Sequence, residues 1–154
     1  MPLDLAKEGD FYVSCYADTW KLSNGTLRGF NADACRERAW RHSRQTPDAL
    51  VKAQLNGRTA GIIELDTERG ADEGVGWITL FYLLPEFRGK NLAVQLLGHA
   101  ESVYKESGRD RLCLNVTDRN TAALTFYRRF GFEERSTEAR LGYSVMLMEK
   151  EISR

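Results

Sequence analysis

Apolar residues fall at helical spacing over the first third of the chain, change to strand spacing after Pro47, and then alternate between the two. In DFYVSCYADTWKLSNG, which begins at Asp10, residues Val13, Tyr16 and Trp20 share one helical face. Asp10 is placed to cap that helix and Asn24-Gly25 to stop it. A second amphipathic helix starts at Asn31 or Asp33, turns Cys35, Ala39 and Trp40 inward, and must end before Pro47, because the residue preceding a proline disfavours helical backbone. ALVKAQ and TAGIIEL then flank Leu55-Asn56-Gly57-Arg58. Asn-Gly supplies the positive φ angles of a tight hairpin turn, so these segments are expected to pair antiparallel. After the polar stretch DTERGADEG, GWITLFYLL is almost continuously apolar, as suits a central strand covered on both faces, and Pro85 closes it.

From Leu92 the apolar residues Leu96, Ala100 and Tyr104 recur at helical spacing as far as Gly108. RLCLNV reads as a short strand. NTAALTFYRRFGF reads as a helix with Ala123, Phe126 and Phe130 on one side and Gly131 at its end, and SVMLMEK as a final strand. The sum is an α/β (α+β) domain of three layers, with helices on a mixed sheet. A length of 154 residues, 42% of them apolar, suits one core, and no repeat or linker interrupts it, so residues 1–154 are expected to form a single domain.

Charge and cysteine usage narrow the classes of partner. Lysine plus arginine and aspartate plus glutamate number 22 each, so no overall field favours nucleic acid or a membrane surface. MPLDLAKEGD has no basic start followed by an apolar run, and a run of 18 apolar residues occurs nowhere. The expectation is a cytoplasmic protein with neither nucleic-acid nor membrane partners. Cys15, Cys35 and Cys113 lack close pairing, which reads as buried small hydrophobes in a reducing compartment. With His42 and His99 they offer no ligand cluster, so no metal is expected.

The chemistry concentrates at PEFRGKNLAVQLL, residues 85–97, where the central strand turns directly into a helix. Such a junction presents unpaired backbone N–H groups and the positive end of the helix dipole. Gly89 lets the backbone approach a ligand, Arg88 and Lys90 add positive charge, and Asn91 tolerates a left-handed conformation; together they suit a pyrophosphate.

PEFRGKNLAVQLL, followed by RLCLNV and NTAALTFYRRFGF, resembles the GCN5-related N-acetyltransferase (GNAT) family over nearly the whole chain. That family's signature R-x-x-G-x-[GA] corresponds to Arg88, Gly89, Lys90, Asn91, Leu92 and Ala93, with Asn91 standing where a glycine is usual. A second signature corresponds to Asn120, Ala123, Phe126, Tyr127, Gly131 and Phe132. The resemblance implies a mostly antiparallel mixed sheet in which two parallel central strands, GWITLFYLL and RLCLNV, splay to admit pantetheine. It implies acetyl-CoA as co-substrate, held by Leu83, Arg88, Gly89, Lys90, Asn91, Leu92, Ala93, Asn120 and Phe126. It implies transfer of an acetyl group by direct attack to a primary amine of a small molecule or peptide, with Tyr127 as general acid. A coenzyme-binding module without turnover is the alternative.

The base is less defined, because GWITLFYLL carries no carboxylate. Alternation along GIIEL lets Glu64 face the cleft, which makes it the preferred candidate over Asp66, Asp72 and Glu73; His42 and His99 read as ordinary histidines. Tyr16, Trp20, Tyr82 and the acidic DTERGADEG loop suggest an aromatic, carboxylate-rimmed cleft for a cationic amine. Family members usually have a strand before the first helix, and here Leu3 to Leu5 reads as its stub. If that sheet edge is missing, a homodimer is the natural way to cover it.

Overall fold

The computed structural model describes residues 1–89 and 91–152. Its elements run α1 (Leu5–Asn24), α2 (Ala32–Gln45), β1 (Leu50–Leu55), β2 (Arg58–Asp66), β3 (Val75–Leu83), α3 (Leu92–Glu106), β4 (Arg111–Thr117), α4 (Thr121–Arg129), β5 (Glu133–Arg140) and β6 (Tyr143–Glu151).

Helix α1 starts five residues before the expected Asp10. The Asp4 side chain accepts from the Ala6 and Lys7 amides, the orphan donors of a first turn, whereas Asp10 sits mid-helix and pairs with Arg36. Gly25, with φ of 79°, closes the helix by donating to the Lys21 carbonyl. Leu5 is therefore helical, and the strand stub is shorter and earlier than expected. Leu3 N–H donates to Leu50 O and Lys52 N–H to Met1 O, with Pro2 bridged to Val51. Helix α2 is capped by Asn31 and buries Cys35, Ala39 and His42. Trp40, expected inward, is 43% exposed, because one residue further round the helix from Ala39 turns it off the buried face.

The six strands lie in the order β1-β2-β3-β4-β6-β5. Among the described residues β3 and β4 are the one parallel pair, and every other pairing is antiparallel. Because side chains alternate along a strand, the sheet carries two apolar clusters. Ile62, Leu80 and Leu50 pack under α1 and α2 with Tyr12, Cys15 and Ala39. Ile63, Ile78 and Leu112 pack under α3 and α4 with Leu96, Tyr104 and Tyr127. These clusters on opposite faces make the three layers.

Strand β5 has no counterpart in the hydrophobic pattern. Every residue of EERSTEAR is exposed, so neither face carries an apolar period, and the strand exists through its pairing with β6. Its outer edge is rich in glutamate and arginine, which discourages pairing with another chain. At the opposite end, residues 1–3 cover β1, so the uncovered edge that motivated a homodimer is absent there. Among the described residues no helix is long and apolar enough to cross a membrane.

Candidate active site

The hydrogen-bonded ladder between β3 and β4 covers Val75–Trp77 against Arg111–Cys113 and then stops. Beyond Trp77 the two strands part, and a channel passes between them. It opens as a cavity of about 310 Å³, narrows to a neck of about 70 Å³, and widens into a second cavity of about 530 Å³. Thr19, Phe81, Asn120, Ala123 and Tyr127 line both the first cavity and the neck. Thr19, Ser23, Thr79, Leu80 and Asn115 line both the neck and the second cavity.

The first cavity gathers Leu83, Arg88, Gly89, Ala93, Asn120 and Phe126 from the expected coenzyme set. Arg88 Nε donates to the Leu83 carbonyl at 3.1 Å, which locks the guanidinium across the strand end. Gly89 has φ of 79° and no atom within 4 Å of where a Cβ would stand, so its backbone is open to close approach. Asn91 takes the left-handed conformation expected of it, with φ of 63°. It stands at the N-cap of α3 without a side-chain capping bond, which leaves the first-turn amides free for an anion. Leu92 turns its side chain into the core, as its place at the start of the apolar helical face expects, and offers a ligand its N–H. Lys90 lies outside the described residues. Asn120 caps α4 by accepting from the Ala123 amide at 3.2 Å, which fixes that helix against the cavity.

Tyr127 stands where the first cavity meets the neck. Phe81, Phe126 and Phe132 pack edge-on around its ring at centroid distances of 6.1, 5.5 and 5.4 Å, so its orientation is set by packing. Burial pushes its phenol well above the ordinary value, which keeps the proton on oxygen throughout the neutral range.

Glu64 is not where alternation alone would put it. It shares the face of β2 covered by α1 and α2, and Ala60–Leu65 are buried throughout, so this carboxyl is 0% exposed and does not reach the cavity. It accepts from the Tyr12 hydroxyl at 2.5 Å and pairs with His42 Nδ1 at 2.6 Å. Burial first, and the Glu64 charge next, raise Tyr12 far above the ordinary phenol range, so Tyr12 is a donor here. His42 must then donate Nδ1–H to the remaining carboxyl oxygen, and in the neutral ring that puts the lone pair on Nε2. His42 is 1% exposed and lines the second cavity; its Nε2 lies 3.4 Å from Asp66 Oδ2 without a hydrogen-bond partner among the described residues. His99, the other candidate, places Nε2 2.9 Å from the Asp48 carbonyl, away from the channel.

Tyr16 and Trp20 line the second cavity as expected. Of the acidic residues in the expected rim, Asp66 alone lines it among the described residues. Asp72 and Glu73 sit exposed in a short turn elsewhere, and Tyr82 lines the first cavity, where its hydroxyl donates to Asp18. The rim carries Arg38, Arg41 and Arg69 instead, against Asp66. A cationic-amine cleft of the expected kind is thus contradicted by the charge lining it. Arg38 and His42 stand four residues apart, a spacing that puts them on one helical face, but nothing local says which face meets a cavity.

A family model described as the acetyltransferase (GNAT) family matches residues 12–132. An uncharacterised N-acetyltransferase of Methanocaldococcus jannaschii is 26% identical over 127 residues, covering 77% of this chain and 56% of that protein. N-alpha-acetyltransferase 30 of Schizosaccharomyces pombe is 32% identical over 90 residues, covering 57% of this chain and 59% of that protein. The chain thus spans under three fifths of the length of these curated relatives. Among solved structures, PaiA N-acetyltransferase from Thermoplasma acidophilum in complex with coenzyme A superposes with a TM-score of 0.68 at 20% identity, covering 98% of this chain and 96% of that one.

Proposed function

The chain belongs to the acetyltransferase (GNAT) family, and on that premise we propose that it carries an acetyl group from acetyl-CoA to a primary amine of a small molecule or peptide. The observation that supports this reading best is the channel through the sheet, with Tyr127 at its neck and a separate cavity on either side.

The residues of the first cavity fit the coenzyme. Gly89 and the uncapped amides of α3 suit a pyrophosphate, with Arg88 beside them, and PaiA N-acetyltransferase of similar fold is known with coenzyme A bound. The β4-facing edge of β3 beyond Trp77, free of a strand partner among the described residues, suits the amides of the pantetheine arm, which would add to it as a strand does. When bound, acetyl-CoA supplies a thioester whose acyl carbon gains the amine nitrogen as its bond to sulfur breaks. Tyr127 then gives its proton to the departing sulfur, and the second proton that the nitrogen sheds as the amide forms restores the phenol. His42 Nε2, held in the accepting tautomer by Glu64, removes the proton that keeps an alkyl ammonium from attacking. Glu64 acts through His42 and is a positioning residue.

Calorimetric titration with acetyl-CoA, run beside ATP as a ligand lacking the pantetheine arm, tests the first half. Micromolar binding of the thioester with none of ATP is expected; absence of thioester binding refutes the reading. Release of coenzyme thiol in the presence of amines tests the second. Tyr127→Phe is expected to slow it by roughly ten- to a thousandfold without loss of coenzyme affinity. An unchanged rate removes Tyr127 from the reaction, and binding without thiol release for any amine identifies a silent module.

A further inference from the structure

Residues that line the second cavity carry buried polar atoms without a hydrogen-bond partner among the described residues. Arg38 Nε and Nη2 are closed off from solvent and lack a hydrogen-bond partner among the described residues, as do His42 Nε2 and Thr117 Oγ1. His42 and Thr117 are 1% and 8% exposed, and all three residues face this one space of about 530 Å³. Buried donors are rarely left empty, because each forfeits its hydration for no bond in return. The Arg38 guanidinium lies 4.4 Å from the Tyr16 ring centroid, which fixes its plane. The hydroxyls of Tyr12 and Tyr16 lie within hydrogen-bonding reach of the guanidinium, yet neither meets Nε or Nη2 in bonding geometry. Nε–H and Nη2–H form the side edge of the guanidinium, two parallel donors spaced to match the two oxygens of one carboxylate.

The charge of the cavity agrees. Arg38, Arg41 and Arg69 line it, and none of the three forms an ion pair among the described residues. Of the acidic groups, Asp66 has Oδ1 taken by Gln45 and the backbone amides of Glu68 and Arg69, with Oδ2 3.4 Å from His42 Nε2, while Glu64 already accepts from Tyr12 and His42. An acceptor bearing only positive charge would meet three cations here against the one open carboxylate oxygen of Asp66.

We propose that the acceptor is a small amino acid-like molecule, whose carboxylate is clamped by Arg38 while its amine faces His42; this rests on reading the channel as an acetyltransferase site. Arg38 and His42 are four residues apart on α2, so their Cβ atoms are about 5–6 Å from one another, a span that a molecule carrying both groups can bridge. Thr117, on the sheet across from α2, offers a further hydroxyl to the same ligand.

The test compares amines in matched pairs on the wild-type protein: lysine with cadaverine, phenylalanine with phenethylamine, and each amino acid with its amide, followed by thiol release. The carboxylate-bearing member is expected to have a kcat/KM roughly ten- to a hundredfold higher, the size of a charge-assisted double hydrogen bond. In Arg38→Lys and Arg38→Gln that ratio is expected to fall towards one, mainly through KM, whereas a purely structural Arg38 would leave it unmoved. Equal rates within the wild-type pairs, a preference for peptide N-termini over free amino acids, or a ratio insensitive to Arg38 overturns the proposal. A binding readout keeps the two claims apart, since Trp20 and Trp77 line the cavity and their fluorescence reports occupancy without turnover. N-acetylphenylalanine is expected to quench it and N-acetylphenylalanine amide not. Carboxylate-dependent quenching lost in Arg38→Gln, with no thiol release from any amine, upholds the clamp and refutes acetyl transfer; thiol release without carboxylate preference does the reverse.

Discussion

Replacing Glu64 by glutamine should disable His42 while leaving the fold nearly intact. In the native site one carboxyl oxygen accepts from the Tyr12 hydroxyl and the other from His42 Nδ1 at 2.6 Å, all within a fully buried cluster. Glutamine keeps one acceptor and exchanges the other for an NH₂ group. A phenol hydroxyl both donates and accepts, but the Arg38 cation beside Tyr12 draws its lone pairs and leaves its proton for residue 64, so Tyr12 takes the remaining carbonyl oxygen, the NH₂ faces His42 and Nδ1 must become an acceptor. The ring proton moves to Nε2, the atom on the cavity, and an N–H cannot remove a proton from an ammonium. The expected loss in kcat is that of a general base, about a hundredfold or more. Stability should change by only about 1 kcal/mol, because every polar atom keeps a partner.

Glu64→Ala separates geometry from chemistry. It leaves two buried donors unbonded at about 1–3 kcal/mol each, so about 2–6 kcal/mol together, a large share of a total of about 5–15 kcal/mol. Denaturant melts should therefore rank the alanine variant far below the glutamine variant, while thiol-release kinetics find both inactive. Since the two residues form one unit, the double variant should be no slower than the worse single one. A Glu64→Gln protein within threefold of wild type would refute the relay, and so would losses that multiply in the double variant.

Asn91→Gly should bind acetyl-CoA at least as tightly as wild type, because glycine adopts φ of 63° freely, whereas Asn91→Val should lose about 1–2 kcal/mol of backbone compatibility and much of its coenzyme affinity by calorimetry. Asp66 titrates below its ordinary value: burial, the largest single influence, raises it, but the bonds from Gln45 and the Arg69 and Glu68 amides, with His42, outweigh that. A depressed folded value stabilises the protein above the unfolded value of about 3.9 and is lost as pH falls through the folded one, so the melting gap between wild type and Asp66→Asn should be widest near neutrality and close in acid; a constant gap would contradict this. Burial raises Cys15 to about 12 and Cys113 to about 11, and raises Cys35 as well, so the native protein should show no reaction with an aromatic disulfide at pH 8 until it unfolds, leaving the colour of a thiol-release assay to the coenzyme.

The two ends of the channel differed in how far they could be read from residues alone, and the difference is physical. The coenzyme end depends on backbone: an open glycine, a left-handed residue, a run of uncapped amides. Such demands fall on a few consecutive positions, so the conformations of Gly89 and Asn91 could be read from residue type and order, while Asn120 came only through the family resemblance. The acceptor end depends on side chains from stretches that are far apart, at residues 16–24, 38–42, 66–69 and 115–117. Their convergence follows from where β3 and β4 part after Trp77, and neither strand's own pattern marks that point. Glu64 fails for the same reason. Alternation along β2 correctly separates its two faces, but both are covered, so the side on which a residue stands does not tell whether it meets solvent, a cavity or a helix. What Glu64 meets is His42, twenty-two positions earlier in the chain, and it is to the cation one turn before that histidine that the proposed clamp assigns the choice of amine.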